Sequence, residues 1–182
     1  MQKANRKIDM DWEKANIEQV WKQVALKLAK DGIETVLVGG AVVSIYSDGA
    51  YESGDLDFIQ KTKGFDDTKT SLLDLGFKKQ GRSFVHDESN YYIEFCSGPL
   101  AIGDDLKIKP EKVTFKSKTF YILSPTDCIR DRLASYAFFK ARECLDQAVL
   151  VAKNQPYNDK KIKSWCKSEN ILEAYEKFRS QL

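Results

Sequence analysis

Residues 35–59 decide the fold, and they read TVLVGGAVVSIYSDGAYESGDLDFI. The first four residues are uncharged and mostly β-branched or apolar, so they predict a short buried strand. Gly39 and Gly40 end this strand abruptly, and the largely apolar residues 41–46 that follow predict a short helix. A polar loop then leads to residues 55–59, which predict a second strand.

The two glycines between the first strand and the helix form a turn without side chains. Such a turn leaves the backbone N–H groups of the helix N-terminus open to an anion, and phosphate is the usual ligand. Gly39 and Gly40 are therefore candidate binding residues for a phosphate chain. A tight turn with no ligand would have the same sequence, and this alternative stays open.

Two aspartates, Asp55 and Asp57, lie two residues apart on the second predicted strand. Because side chains alternate along a strand, both carboxylates project from one face, while Leu56 and Phe58 project from the other. Neighbouring carboxylates repel unless a cation or a proton compensates them, and oxygen ligands suit Mg²⁺ or Mn²⁺. The alternative interpretation is a strand edge that exposes two acidic residues to solvent.

A third acidic residue, Glu94, interrupts the otherwise apolar and aromatic run 91–96, which predicts another strand. A carboxylate in such a run is costly to bury unless it is paired or bound to a metal. If this strand lies beside the one that carries Asp55 and Asp57, the three carboxylates form a site suited to two metal ions. Alternatively, Glu94 points outward from a half-exposed strand.

The rest of the chain predicts helices at both ends and strands between them. Helical spacing of apolar residues predicts a helix over 12–30, and a second amphipathic helix over 65–75 ends at Gly76. Ser124 has the character of a helix N-cap, and the chain beyond it predicts helices with a break at 154–156. Further strands are expected over 77–80, 83–86, 112–115 and 119–123.

The order of these motifs resembles the polymerase-β-like nucleotidyltransferase superfamily, in particular the small bacterial type related to abortive-infection toxins. The resemblance is carried by residues 38–40, 55–58 and 93–95 and covers about residues 33–125. It implies an α/β (α+β) fold with a small mixed β-sheet and flanking helices. We expect a nucleotidyltransferase-like core over 1–123 and a C-terminal helical region over 124–182.

The resemblance also implies an activity, the transfer of a nucleoside monophosphate from an NTP to an acceptor, with Mg²⁺ or Mn²⁺ as cofactor. By analogy, Asp55 and Asp57 bind the metal ions, and Glu94 ligates a metal on the acceptor side and helps to activate the attacking oxygen. Gly39 and Gly40 then hold the phosphates. The acceptor is an RNA end, a small molecule or a protein side chain, and the resemblance implies a toxin–antitoxin or phage-defence setting.

One position departs from the pattern of the superfamily. Tyr51 stands where many relatives have a basic residue shortly before the first aspartate. Lysines or arginines from elsewhere would then contact the triphosphate, and the predicted helix after residue 124 offers Arg130, Arg132 and Lys140. Since Arg132 and Lys140 are eight residues apart, they lie near one helix face. A solvated helix face is the alternative interpretation of these charges.

The composition excludes several classes of protein. Because the chain has 29 basic and 27 acidic residues, its net charge of +2 predicts no general attraction to nucleic acid or to an anionic membrane. The sequence gives no strong sign of DNA binding. A single histidine, His86, excludes metal sites built from several histidines. The four cysteines form no C-x-x-C pair, and no apolar run approaches a membrane span. We expect a cytoplasmic protein with free thiols.

Two other functions compete with the enzyme. The chain is either a catalytically idle member of the fold that binds a partner protein, or an RNA-binding module that uses its basic C-terminal helices with Trp165 and Tyr175. The intact set of three acidic residues argues against the idle protein. The near-neutral net charge argues against the RNA-binding module, which would show a strong dependence of binding on salt.

Overall fold

The structure, a computed structural model, describes residues 10–61 and 64–182, without the side chain of Phe65. The described residues form seven helices and seven strands in a mixed α/β arrangement, as the sequence predicts. In chain order these are α1 (Ile17–Lys30), β1 (Thr35–Val38), α2 (Gly40–Tyr46), β2 (Asp55–Gln60), α3 (Phe65–Asp74), β3 (Lys78–Gln80), β4 (Ser83–Val85), β5 (Tyr92–Cys96), β6 (Glu111–Phe115), β7 (Lys118–Ile122), α4 (Pro125–Phe139), α5 (Glu143–Asn154), α6 (Asp159–Ser168) and α7 (Leu172–Ser180).

The strands form one sheet in the order β3-β4-β5-β2-β1-β7-β6. The pairs β2–β5 and β1–β7 are parallel, while the other neighbouring pairs are antiparallel. This confirms the mixed sheet that was expected. The two strands that carry the predicted acidic residues, β2 and β5, are neighbours in the middle of the sheet, so the sheet places their side chains side by side.

The first helix starts later than its hydrophobic spacing predicts. It begins at Ile17, because the side chain of Asn16 accepts a hydrogen bond from the backbone N–H of Gln19 and the Gln19 side chain accepts one from the backbone N–H of Asn16. This reciprocal pair satisfies two N–H groups that a helix end leaves free. Trp12 lies outside the helix but is still buried, with its ring against that of Phe77 at 5.4 Å.

The segment around the glycine turn is almost wholly buried. All four residues of β1 are buried, and α2 is buried over its first five residues. The hydroxyl group of Tyr46, at the end of α2, donates a hydrogen bond of 2.7 Å to the backbone oxygen of Leu123. This bond ties α2 to the end of β7, so the turn at Gly39 is held between the sheet and a helix that is anchored at its far end.

The C-terminal helices begin where the sequence predicts. Ser124 caps α4 by accepting a hydrogen bond from the backbone N–H of Asp127, and Pro125 occupies the first turn. The helices break at 140–142 and 169–171, because Lys140 and Asn170 adopt positive φ angles of 56° and 59°. A further break, at 155–158, separates α5 from α6. None of the helices in the described ranges has the length and apolar composition that a membrane span requires.

Candidate active site

The register between β2 and β5 brings the three predicted acidic residues to one face of the sheet. Asp57 pairs with Glu94, and Asp55 pairs with Tyr92. Paired residues on neighbouring strands project from the same face, so Asp55, Asp57 and Glu94 share a face, and each is half-buried. The intervening residue Leu56 projects into the core and is fully buried. The sheet therefore juxtaposes the three carboxylates, while their role as metal ligands stays a prediction.

Two of the three carboxylates are held by hydroxyl donors. Ser53 Oγ donates to Asp55 Oδ1 at 2.7 Å, and the Tyr92 hydroxyl donates to Asp55 Oδ2 at 3.3 Å. Ser83 Oγ, on the neighbouring strand β4, donates to Glu94 Oε1 at 2.5 Å. Sequence reasoning missed these three donors, although Tyr92 could have been found from its place two residues before Glu94 on one strand face.

Asp57 is the carboxylate whose charge is least compensated. Its contact with a side-chain donor is a long one, 3.9 Å between Cys96 Sγ and Asp57 Oδ1. Burial, and then the negative charges of Asp55 and Glu94, raise the pKa of Asp57 to about 6, and the positive charge of Arg132 opposes this rise. A cation at this position would relieve both the burial of the charge and its repulsion by the neighbouring carboxylates.

Cys96 lies at the edge of the same face, and its surroundings favour the protonated thiol. Burial, and then the negative charge of Asp57, raise the pKa of its thiol to about 11. Only the thiolate form of cysteine attacks a substrate, so the thiol stays protonated and unreactive near neutral pH. The site therefore contains an array of oxygen donors beside an inert thiol.

The glycine turn touches the acidic face directly. Gly39 has φ +75°, and a Cβ atom at this position would stand 2.4 Å from Asp57 Oδ2. A Cβ atom on Gly40 would stand 2.8 Å from Ser53 Oγ and 3.3 Å from the hydroxyl oxygen of Tyr51. Both positions need glycine because neighbouring side chains fill the space of a Cβ atom. Gly39 thus adjoins the Asp57 carboxylate, and Gly40 adjoins Ser53, which donates to Asp55.

Arg130 does not contribute to this face, which corrects the expectation that it contacts a triphosphate. Its side chain is 1% exposed and is engaged by Asp127 at 2.7 Å and Asp105 at 2.6 Å. The guanidinium group also lies 4.9 Å from the ring centre of Trp165. Residues two apart on a helix point about 200° apart, so Arg130 and Arg132 cannot serve one site.

Arg132 is the predicted arginine whose charge acts on Asp57: it opposes the rise in the pKa of Asp57, while the charge of the adjacent Asp131 adds to that rise. Its Nη2 atom lies 2.5 Å from Asp131 Oδ2, and its Nη1 atom lies 3.3 Å from Gln147 Oε1. Nη1 also lies 3.8 Å from Cys144 Sγ, so α5 helps to orient the guanidinium group. Sequence reasoning did not identify Asp131 or the α5 contacts, which depend on how the two helices pack.

The carboxylate oxygens of this face are suitable ligands for Mg²⁺, but they do not form a complete metal-binding site by themselves. Within residues 10–61 and 64–182, no three His, Cys, Asp or Glu side chains stand close enough together to hold a metal ion. Mg²⁺ is usually bound by one or two carboxylates, with water and substrate phosphates as its other ligands. The pair Asp55 and Asp57 therefore fits an ion that arrives with a nucleotide better than a resident ion.

Comparison with solved structures identifies a nucleotidyltransferase-like fold. The crystal structure of an antigenic nucleotidyltransferase-like protein from Paracoccidioides brasiliensis matches with a TM-score of 0.61 and 14% sequence identity over 90% of this chain and 94% of that chain. The crystal structure of ANT(2″)-Ia in complex with adenylyl-2″-tobramycin matches with a TM-score of 0.50 and 10% identity, over 89% of this chain and 96% of that chain.

The solution structure of the antibiotic-resistance factor ANT(2″)-Ia also matches, with a TM-score of 0.51 and 10% identity over 94% of each chain. Comparisons with protein-family models and with curated proteins give no match. At these identities the structural likeness establishes the fold and leaves the chemistry to the residues. The nucleotidyltransferase-like fold predicted from residues 38–40, 55–58 and 93–95 is confirmed.

Proposed function

We propose that this protein is a metal-dependent nucleotidyltransferase that moves a nucleoside monophosphate from an NTP to an acceptor and releases pyrophosphate. The observation that supports this most strongly is the register of β2 and β5, which sets Asp57 opposite Glu94 in a nucleotidyltransferase-like fold. The close approach of Gly39 to Asp57 adds a backbone turn next to the carboxylates. An acidic face beside a backbone turn without side chains suits a cation and a phosphate chain together.

Asp55 and Asp57 are the residues that would hold Mg²⁺ or Mn²⁺. Bound there, the ion supplies positive charge to the phosphoryl group undergoing transfer. Ser53 and Tyr92 orient the Asp55 carboxylate, whereas Asp57 has no oxygen donor among the hydrogen bonds of the described residues. Asp57 is therefore the carboxylate that gains most from a cation.

Glu94 and Arg132 complete the reaction scheme. In the transfer, an acceptor oxygen forms a bond to the α-phosphorus, the bond from that phosphorus to the pyrophosphate oxygen breaks, and the acceptor proton moves to Glu94. Glu94 is held by Ser83, which keeps its carboxylate on the face that carries Asp57. Arg132 supplies a positive charge near the same face, where charge develops on the departing pyrophosphate.

The identity of the acceptor is tested by supplying the protein with acceptors of several chemical classes. The neighbour ANT(2″)-Ia was solved with adenylyl-2″-tobramycin, so an aminoglycoside is one acceptor to include. RNA and a cell extract that contains proteins and small molecules cover the other classes. Each of the common NTPs, labelled with ³²P at the α-phosphate, is incubated with the protein, Mg²⁺ or Mn²⁺ and one of these acceptors.

We expect labelled acceptor with the wild-type protein only when a divalent ion is present. Asp57→Asn should lower the rate by about 10²–10³, the effect of losing one preorganised electrostatic group. Asp48→Asn neutralises an exposed aspartate outside the site and should leave the rate unchanged. Absence of label with every NTP and acceptor, or equal rates for the wild type and Asp57→Asn, would overturn the proposal.

A second candidate function is that of an idle nucleotidyltransferase-like protein that binds a partner. The observation that favours it is that the carboxylates do not converge into a metal-binding group within the described residues, with Glu94 engaged by Ser83. The two functions differ in one measurement. An idle protein shows no label transfer, and an Asp57→Asn variant of it binds the partner as the wild type does.

A further inference from the structure

A groove of about 500 Å³ opens among the C-terminal helices, outside the acidic face. It lies where the end of α4 and the start of α5 meet α7. We call it the basic groove, and it is lined by Tyr136, Lys140, Arg142, Leu145 and Lys177. Three of its five lining residues are basic and none is acidic, so it carries net positive charge although the whole chain is nearly neutral.

Two of the three basic side chains make no ion pair within the described residues. Lys177 pairs with Glu173 at 2.7 Å, on the same helix. Lys140 and Arg142 are exposed and make no ion pair with any other residue in the described part of the chain. Uncompensated positive charge in a concave surface attracts anions more strongly than the same charge on a flat one. The basic groove is therefore suited to a phosphate-bearing ligand.

Aromatic side chains accompany these charges. Tyr136 lines the groove, and Phe138 and Phe139 at the end of α4 are 45% and 80% exposed. Exposed rings next to basic side chains are typical of sites for single-stranded nucleic acid, because bases stack on the rings and the cations contact phosphates. A planar membrane surface would not use the concave part of this arrangement.

The aromatic residues proposed from the sequence for RNA binding are not available. Trp165 and Tyr175 are 6% and 7% exposed, and both pack within the helical region. Trp165 Nε1 donates to the backbone oxygen of Ile102 at 3.3 Å, and the Tyr175 hydroxyl donates to Asp159 Oδ2 at 2.9 Å. The aromatic rings available for stacking with nucleic-acid bases are therefore the exposed ones at the end of α4.

Helix α4 connects the basic groove to Arg132. Tyr136 and Lys140 follow Arg132 by four and eight residues, so they lie about 6 and 12 Å beyond it along the helix axis. On α5, Cys144 lies 3.8 Å from Arg132 and directly precedes Leu145 of the groove. A ligand that contacts Tyr136 in the groove thus lies about one helical turn from Arg132.

We infer that the basic groove binds a single-stranded nucleic-acid segment and presents its end as the acceptor for nucleotide transfer. The inference rests on the proposed function for its catalytic part, but the binding itself does not require the carboxylates. Phosphates of the strand contact Lys140 and Arg142, and a base stacks on the exposed ring of Phe139. A polycationic acceptor is repelled by the same charges.

The test measures the binding of fluorescein-labelled single-stranded RNA and DNA oligonucleotides by fluorescence anisotropy, without NTP, over salt concentrations from about 50 to about 300 mM. The main variant is the double substitution Lys140→Asn and Arg142→Gln. Asparagine is chosen for position 140 because it tolerates the positive φ found there. Lys153→Gln, an exposed lysine at the other end of α5, is the control.

We expect the double variant to bind at least about tenfold more weakly than the wild type at low salt. The slope of log K against log salt should decrease by about 1.4, which corresponds to two lost phosphate contacts with a single strand. Lys153→Gln should bind as the wild type does. Unchanged melting temperatures show that the variants are folded.

Three outcomes would overturn the inference. These are no oligonucleotide binding by the wild type, equal binding by the wild type and the double variant, and binding to phosphatidylserine vesicles without binding to oligonucleotides. Transfer of label to a non-nucleic-acid acceptor without strand binding would refute the groove but leave the proposed function intact. Strand binding at the groove without transfer from any NTP would support the groove as a binding site and refute the proposed function.

Discussion

Replacing Asp57 by asparagine removes one negative charge from a face that holds three carboxylates, with almost no change in side-chain volume. Burial and the neighbouring charges raise the pKa of Asp57 from 3.8 to about 6. Each pKa unit corresponds to 1.36 kcal/mol, so the charged form costs the metal-free protein up to about 3 kcal/mol. Because the carboxylate is only half-buried, solvent screening lowers this to roughly 1–2 kcal/mol.

The sign of this effect depends on pH. An acid whose pKa is raised in the folded state holds its proton more tightly there than in the unfolded chain. The destabilisation of the folded protein by the charge of Asp57 is therefore absent below about pH 4, grows between about pH 4 and pH 6, and is complete above pH 6. In EDTA near pH 8, we expect Asp57→Asn to raise the melting temperature by roughly 2–8 °C, at 2–4 °C per kcal/mol for a chain of this size.

Thermal unfolding followed by circular dichroism in EDTA, from about pH 4 to about pH 8, measures this difference. Asp48→Asn is the matched control, because it neutralises an exposed aspartate whose positive φ of 51° asparagine also adopts. The control should change stability by less than about 0.5 kcal/mol. A lower melting temperature for Asp57→Asn at pH 8, or a difference that does not vary with pH, would refute the electrostatic reasoning.

Three further predictions concern other parts of the molecule. Gly39→Ala should destabilise the protein by roughly 1–3 kcal/mol more than Gly49→Ala in thermal unfolding. Both glycines have φ near +75°, but only at position 39 does the new Cβ atom meet the Asp57 carboxylate, so equal losses of stability would contradict this prediction. Arg130→Met should cost about 3 kcal/mol or more in denaturant titration, since it leaves a buried carboxylate with one partner fewer; a neutral effect would show that the buried network adds no stability. Burial lowers the pKa of His86, so the unfolded chain takes up its proton more readily and stability should fall as the pH decreases through about 6.5. His86→Gln should flatten that part of the stability profile, and an unchanged profile would exclude this origin.

The central strands and the acidic face could be predicted from the sequence because local patterns determine them. Alternation along residues 55–59 places Asp55 and Asp57 on one face whatever surrounds them. That the strand of Glu94 lies beside the strand of Asp55 and Asp57 is a hypothesis that rests on the order of the motifs along the chain. The register between β2 and β5 shows that the two strands are neighbours and that Asp57 lies opposite Glu94. Local pattern and chain order together were enough for the fold.

Other features depend on packing that the sequence does not display. The start of α1 is determined by the reciprocal bonds between Asn16 and Gln19, although the apolar spacing continues upstream of it. Arg130 and Arg132 have the same chemistry in sequence, but the packing of α6 buries the first beneath Trp165. The basic groove is also a product of tertiary structure, since three helices contribute its lining residues.

Isothermal titration calorimetry of the common NTPs, with Mg²⁺ and then with EDTA, tests most directly the claim that the carboxylates of β2 and β5 form a metal-dependent nucleotide site. Three carboxylates without a cation repel a triphosphate, whereas a divalent ion is attracted to both. We predict that at least one NTP binds in Mg²⁺ and that its affinity falls by about tenfold or more in EDTA. Equal affinity in Mg²⁺ and in EDTA would contradict the account.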